Sequence, residues 1–172
     1  MSRGCAAVLV AVALGCGGAQ APLAPVDRPA PAFMLQDQSG RVRQLSEYRG
    51  HPVVLYFYPR DATPGCTREA CAFRDAWARL QSTGAVVLGV STDDVASHLR
   101  FHDEHQLPFD LLADADGQVA SRYGVPVRLG LASRITFLID GGGVLRRVFE
   151  DVDPGVHADE VLAAIAALPA AP

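Results

Sequence analysis

Residues 56–71 read Tyr-Phe-Tyr-Pro-Arg-Asp-Ala-Thr-Pro-Gly-Cys-Thr-Arg-Glu-Ala-Cys and join the end of an apolar strand to the start of a helix. The apolar run is continuous, which is typical of a central strand covered on both faces, and it breaks at Pro59. Thr63 is a good N-cap, and Pro64 suits the first helical position, where its missing N–H costs nothing. Cys66 then lies in the first turn, where unpaired N–H groups and the helix dipole favour a thiolate.

A second cysteine, Cys71, follows Cys66 by five residues on the same predicted helix. Five residues turn an α-helix by about 140° and advance it by about 7.5 Å. The two Cα atoms would then lie roughly 8–9 Å apart, beyond the limit of about 7 Å for a disulfide. A Cys66–Cys71 disulfide therefore requires that this part of the helix unwinds, so the pair can act as a redox switch coupled to local unfolding.

The predicted helix carries one apolar stripe that faces the sheet. Cys66 lies on the stripe and Cys71 lies off it, so the first sulfur is expected to be shielded and the second to be nearer solvent. The stripe has spacings of three and four residues and comprises Cys66, Ala70, Phe73, Trp77 and Leu80.

The pattern Pro59-x-x-x-Thr63-x-x-Cys66 resembles the active-site signature of the peroxiredoxins. The longer run Thr-Pro-Gly-Cys-Thr-Arg-Glu-Ala-Cys is similar to the subfamily of bacterioferritin comigratory protein, also called peroxiredoxin Q. This resemblance covers roughly residues 28–168 and implies a thioredoxin-dependent cysteine peroxidase on a thioredoxin-like fold. It implies that Cys66 is the peroxidatic cysteine and that Cys71 resolves it as an intramolecular disulfide, with no cofactor or metal.

The resemblance also identifies groups that would act on the peroxide. A free cysteine is only about 3% thiolate at pH 7, so ionisation alone gains roughly 30-fold, and donors aimed at the peroxide oxygens must supply the rest. The candidates are the Cys66 N–H, the Thr63 hydroxyl and Arg134, which matches the active-site arginine of the family. Pro59 presents no N–H and would shield the sulfur from water.

The rest of the chain predicts an α/β fold, with a central mixed sheet flanked by helices and an N-terminal β-hairpin. A strand, a helix of about 17 residues and a second strand make a βαβ unit with parallel strands. We expect hairpin strands near 33–36 and 42–45, further strands at 85–90, 107–112, 135–140 and 144–149, and helices from Asp94 to His105, within 117–124 and over 157–168.

The first residues have the character of an export leader. Arg3 precedes a short apolar run that is too short to span a membrane, and Leu14-Gly15-Cys16 resembles the end of a bacterial lipobox. Cleavage by ordinary signal peptidase after Ala21 and an uncleaved cytoplasmic form are the alternatives. We therefore expect a signal peptide of lipoprotein type at 1–15, lipidation at Cys16, a tether at 16–30 and a peroxiredoxin domain at 31–169 in an exported, periplasmic protein.

The chain is long enough for one domain of 172 residues, and its net charge of −4 gives no sign of nucleic-acid binding. The expected partners are a peroxide and a thioredoxin-like reductant, with membrane contact only through a lipid anchor. The chain is expected to be a monomer or a weak dimer.

Other functions of the same fold stay open. A thiol–disulfide oxidoreductase would normally have Cys-x-x-Cys, and a copper-handling module would need Cys-x-x-x-Cys with a distant histidine. A structural Cys66–Cys71 disulfide is a third possibility, which the helical spacing disfavours. His98, His102 and His105 share one predicted helix face, which is more often a polar surface than a metal site.

Overall fold

The computed structural model describes residues 21–169, which form a sheet with helices on both faces. The predicted leader and its candidate lipidation site Cys16 lie outside the described residues. The strands are β1 Met34–Asp37, β2 Val42–Gln44, β3 Val53–Phe57, β4 Val86–Ser91, β5 Asp110–Ala113, β6 Val127–Arg128, β7 Leu131–Ala132, β8 Ile135–Ile139 and β9 Leu145–Phe149. The helices are α1 Pro64–Asp75, α2 Trp77–Ser82, α3 Val95–His105, α4 Gln118–Arg122 and α5 His157–Ala166.

Seven of these strands form the main sheet in the order β2-β1-β5-β4-β3-β8-β9. The central strands β3, β4 and β5 are parallel, as the βαβ unit predicts, and Val53 pairs with Val86. The outer strands are antiparallel, including the N-terminal hairpin β1–β2 and the hairpin β8–β9. The prediction of a mixed sheet in an α/β, thioredoxin-like fold is therefore confirmed.

Strand β3 lies at the centre of the sheet and all five of its residues are buried. Its alternating side chains enter two separate cores, because successive residues of a strand point to opposite faces. On one face Tyr56 packs against Phe73 of α1, with 5.1 Å between ring centroids. On the other face Phe57 packs against Tyr123, at 5.6 Å. The end of β3 and the start of α1 are thus held by packing from both sides.

Two local features of the structure were not predicted. The expected helix of about 17 residues is divided into α1 and α2 at Ala76, where ψ is 3° and no proline or glycine marks the break. The loop 126–133 contains the small hairpin β6–β7. Its turn places Leu129 and Gly130 at positive φ, of 51° and 73°, which suits the twist of a two-residue hairpin turn.

The part of the expected tether that the structure describes lies against the domain. The Ala24 N–H donates to the Tyr123 carbonyl at 3.0 Å, and the Asp27 N–H donates to the Leu145 carbonyl at 2.7 Å. Pro29 forms an isolated bridge with Val144 of the β8–β9 turn. From Ala24 onward, backbone groups of the predicted 16–30 tether therefore have hydrogen-bond partners on the domain. No helix among residues 21–169 is long and apolar enough to cross a membrane.

Candidate active site

The connection between β3 and α1 brings the predicted site residues together. Tyr58 is buried at the end of the strand, and Pro59 follows it at the bend. Thr63 is the N-cap residue of α1, and Pro64 occupies the first turn, as predicted. The Thr67 N–H bonds the Thr63 carbonyl at 2.8 Å, whereas the Cys66 N–H makes no bond to any residue within 21–169. The first turn therefore offers a free N–H donor at Cys66.

The Cys66 sulfur lies directly beside the predicted arginine. Cys66 is 2% exposed, and its Sγ accepts a hydrogen bond from Arg134 Nη2 at 3.2 Å. Arg134 immediately precedes β8, which is antiparallel to β3, so the sheet register carries this side chain to the N-terminus of α1. The half-buried guanidinium therefore places a fixed positive charge and further N–H groups beside the buried sulfur.

Glu69 completes this cluster, although the sequence analysis assigned it no role. Its side chain is fully buried, and one carboxylate oxygen accepts a hydrogen bond from Arg134 Nη1. The other oxygen has no partner among the described residues. Burial outweighs the attraction of Arg134 and raises the pKa of Glu69 to about 7. A signal existed, because Glu69 is a charged residue three positions after Cys66 on the apolar side of the helix.

The Thr63 side chain differs from a simple helix cap. Its hydroxyl donates to the Arg60 carbonyl at 3.1 Å and makes no bond to the helix N–H groups. Thr63 therefore occupies the predicted N-cap position, but its side chain does not cap the helix. Because the proton of the hydroxyl is engaged, its lone pairs are free to accept, as the expected contact with a peroxide requires.

Cys71 lies further along the same unbroken helix and is partly exposed. Both cysteines are free thiols, with Cys66 buried and Cys71 nearer solvent, as the apolar stripe predicts. Because α1 is regular from Pro64 to Asp75, the helical separation of roughly 8–9 Å between their Cα atoms holds here. The folded helix is therefore incompatible with a bond between the two sulfurs.

The three histidines of α3 do not form a common cluster. His98 is fully buried and bonds Asp61, whereas His102 bonds the neighbouring Asp103. Within residues 21–169 no group of three or more His, Cys, Asp or Glu side chains is placed to hold a metal ion.

Residues 26–148 match the AhpC/TSA family, and the chain therefore belongs to that family. More particularly, it is similar to proteins named peroxiredoxin Q and bcp, which confirms the resemblance inferred from the cysteine motif. Chloroplastic peroxiredoxin Q of Oryza sativa subsp. japonica is 46% identical over 136 residues, which cover 77% of this chain and 63% of the rice protein. The putative peroxiredoxin bcp of Coxiella burnetii is 45% identical over 144 residues, which cover 80% of this chain and 95% of the relative.

Solved structures agree with this placement. The peroxidoxin BcpB of Mycobacterium tuberculosis has a TM-score of 0.77 at 38% identity, covering 83% of this chain and 96% of that one. The bacterioferritin comigratory protein of Xanthomonas campestris, whose structure is described in terms of alkyl peroxide reduction, has a TM-score of 0.76 at 33% identity with the same coverage.

Proposed function

We propose that this protein is a thiol-dependent peroxidase that reduces hydrogen peroxide and organic hydroperoxides through Cys66. The observation that carries this proposal is the contact of 3.2 Å between Arg134 Nη2 and Cys66 Sγ in the first turn of α1. A thiol–disulfide exchange site needs no such cation. Here a half-buried cation contacts the Cys66 sulfur, and the free N–H of Cys66 and the Thr63 hydroxyl lie at the start of the same helix. Together they supply the donors and acceptors that a reacting peroxide bond requires.

The proposed reaction has two chemical steps in the protein. The Cys66 thiolate attacks one peroxide oxygen, the O–O bond breaks, and Cys66 becomes a sulfenic acid. The departing oxygen carries the negative charge and takes a proton to leave as water or an alcohol. Arg134 and the Cys66 N–H stabilise the charge that moves from sulfur to oxygen, while Thr63 and Pro59 orient and shield the reacting atoms.

In the second step, α1 unwinds and the Cys71 thiol attacks the sulfenic acid of Cys66. A disulfide forms and one water leaves. Two electrons from a dithiol donor then restore both thiols, and we propose a thioredoxin-like protein for this role. The proposal rests on the separation of the two Cα atoms along the helix and on the partial exposure of Cys71.

Two variants test this assignment with stopped-flow measurement of peroxide consumption by the reduced protein. Cys66→Ser should lose all peroxide reduction, and retained single-turnover activity would exclude Cys66 as the attacking residue. Cys71→Ser should react once and leave a sulfenic acid on Cys66 that dimedone traps. An insulin-reduction assay distinguishes the alternative function, because a thiol–disulfide oxidoreductase would reduce the disulfides of insulin and would not consume peroxide.

We also propose that the chain is exported and anchored to a membrane through a lipid on Cys16, on the basis of its leader sequence. Among the described residues, Ala24 is the first with a backbone hydrogen bond to the domain, and the eight Cα–Cα steps from Cys16 to Ala24 reach at most about 28 Å. The intact mass of protein extracted from membranes tests this, since an unmodified Cys16 would refute it. A monomer or weak dimer is expected, and sedimentation velocity would measure it.

A further inference from the structure

The loop 59–63, between β3 and α1, carries two of the proposed site residues and fixes where α1 begins. One of its members, Ala62, has φ of +55°, in the left-handed region that residues with a Cβ seldom adopt. Such a conformation is unfavourable and persists only where the surroundings enforce it. The shape of this loop must therefore be imposed by contacts outside the loop.

Asp61, in the middle of the loop, makes these contacts with residues outside it. Its carboxylate is buried and accepts hydrogen bonds from the Tyr58 hydroxyl at 2.7 Å and from His98 Nδ1 at 2.9 Å. Its backbone N–H donates to the Asp93 carboxylate at 2.9 Å. Burial raises the pKa of Asp61, but the bonds from His98 and Tyr58 outweigh it, so the pKa lies below its usual value and the side chain is a carboxylate.

His98 bonds Asp61 from a separate helix. It belongs to α3, whose first turn is fixed by Asp94, the side chain of which accepts from the Ser97 N–H at 2.7 Å. The His98 ring is fully buried and none of the proposed chemical steps uses it. Its Nε2 has no partner among the described residues, whereas Nδ1 faces the Asp61 carboxylate.

The two nitrogens of His98 show what this residue contributes. A carboxylate only accepts, so His98 Nδ1 must carry the proton in this bond. Phenylalanine would fill the same space without burying an unpaired nitrogen, which is costly in a core. What histidine adds at this position is therefore the N–H of Nδ1, which lies 2.9 Å from the Asp61 carboxylate and 3.4 Å from the Tyr58 hydroxyl.

We propose that His98 is a positioning residue for the peroxide reaction, which acts through Asp61 to hold the loop that carries Pro59 and Thr63. This inference rests on the proposed peroxidase function. Because Arg134 reaches Cys66 from β8 and not from this loop, loss of the His98 bond should misplace Thr63 while the sulfur keeps its cation. Misplacement of a reacting group by about 1 Å can cost about 100-fold in rate.

The test compares two reactions of Cys66 in the reduced full-length protein. Oxidation by peroxide requires the loop, whereas alkylation by iodoacetamide requires only the thiolate. We expect His98→Phe to lower the rate constant of oxidation about 10- to 100-fold and to change alkylation less than twofold. His98→Asn, whose amide can donate from near the position of Nδ1, should stay within about threefold of the wild type in both reactions.

Two further variants separate positioning from general stability. His98→Gln keeps a polar side chain but places its amide near Nε2, so it should be as slow as His98→Phe. Leu112→Ala removes a buried side chain of β5 that packs in the core on the opposite face of the sheet from Tyr58. It should lower the melting temperature without changing either rate well below that temperature.

The proposal is overturned if His98→Phe and His98→Gln oxidise within about threefold of the wild type, if oxidation and alkylation fall by the same factor, or if His98→Asn is as slow as the other two. A wild-type protein that does not react with peroxide would refute the peroxidase function itself, which is a separate result.

Discussion

Glu69→Gln removes the most deeply buried ionisable group of the site and keeps the shape of the side chain. Glu69 is fully buried, one of its oxygens bonds Arg134, and the other has no partner among the described residues. The glutamine amide can keep an oxygen on Arg134, but it has no proton to lose. The comparison of wild type and variant therefore isolates the free energy of ionising Glu69 inside the folded protein.

The direction in which the Glu69 pKa is shifted decides how the stability of the protein changes with pH. Burial raises the pKa of Glu69 from its ordinary 4.5 to about 7, so the folded state favours the protonated acid. The stability from this group is fully present below about pH 4.5 and is lost as pH rises toward 7. At about 1.4 kcal/mol for each tenfold change in proton affinity, the loss is roughly 3 kcal/mol. The glutamine variant has no corresponding loss.

Urea unfolding of the reduced protein, followed by circular dichroism from pH 4.5 to 7.5, measures this difference. The unfolding free energy of the wild type minus that of Glu69→Gln should fall by roughly 3 kcal/mol over this range and then level off. Glu150→Gln, at an exposed position, is the control for removing one carboxylate. A difference that stays flat or rises with pH would refute the reasoning, because Glu69 would then be ionised at no cost.

Two glycine substitutions give further tests. Gly65→Ala should slow peroxide oxidation of Cys66 several-fold without loss of stability, because the new Cβ would lie 3.3 Å from Arg134 Nη2 while alanine favours the helix; stopped-flow kinetics and thermal melting check the two halves. Gly89→Ala should destabilise the protein by about 1–3 kcal/mol, because its Cβ would lie 2.7 Å from the Tyr56 hydroxyl. Urea unfolding measures this loss, and an unchanged midpoint would contradict the packing of Tyr56 against β4.

The local parts of the fold could be predicted because they follow from short-range rules. The continuous apolar run predicts β3, the Thr63-Pro64 pair predicts the start of α1, and helical periodicity predicts that Cys66 is buried and Cys71 is more exposed. The break at Ala76 could not be predicted, because no residue there disfavours a helix. Docking of the chain from Ala24 onward depends on partners that lie far away in the sequence.

The same dependence on distant partners limits what the sequence predicts about the site. No spacing rule connects Cys66 with Arg134, which lies 68 residues away, and only the family resemblance brought them together before the structure did. Glu69 and the pair of Asp61 with His98 were missed, since their roles depend on burial and on tertiary hydrogen bonds. A charged residue on an apolar helix face, as at Glu69, is the signal that could have been used.

The central claim is that α1 is folded when Cys66 attacks peroxide and unwinds when the disulfide forms. The most direct test of it is hydrogen exchange of the α1 backbone amides, followed by mass spectrometry. The reduced protein and the protein treated with one equivalent of hydrogen peroxide are compared, with the Cys66–Cys71 disulfide verified by peptide mapping. The amides of residues 68–75 should exchange slowly in the reduced protein and rapidly in the oxidised one, because the disulfide cannot form across a folded helix. Equally slow exchange in both states, with the disulfide present, would contradict the claim that α1 unwinds.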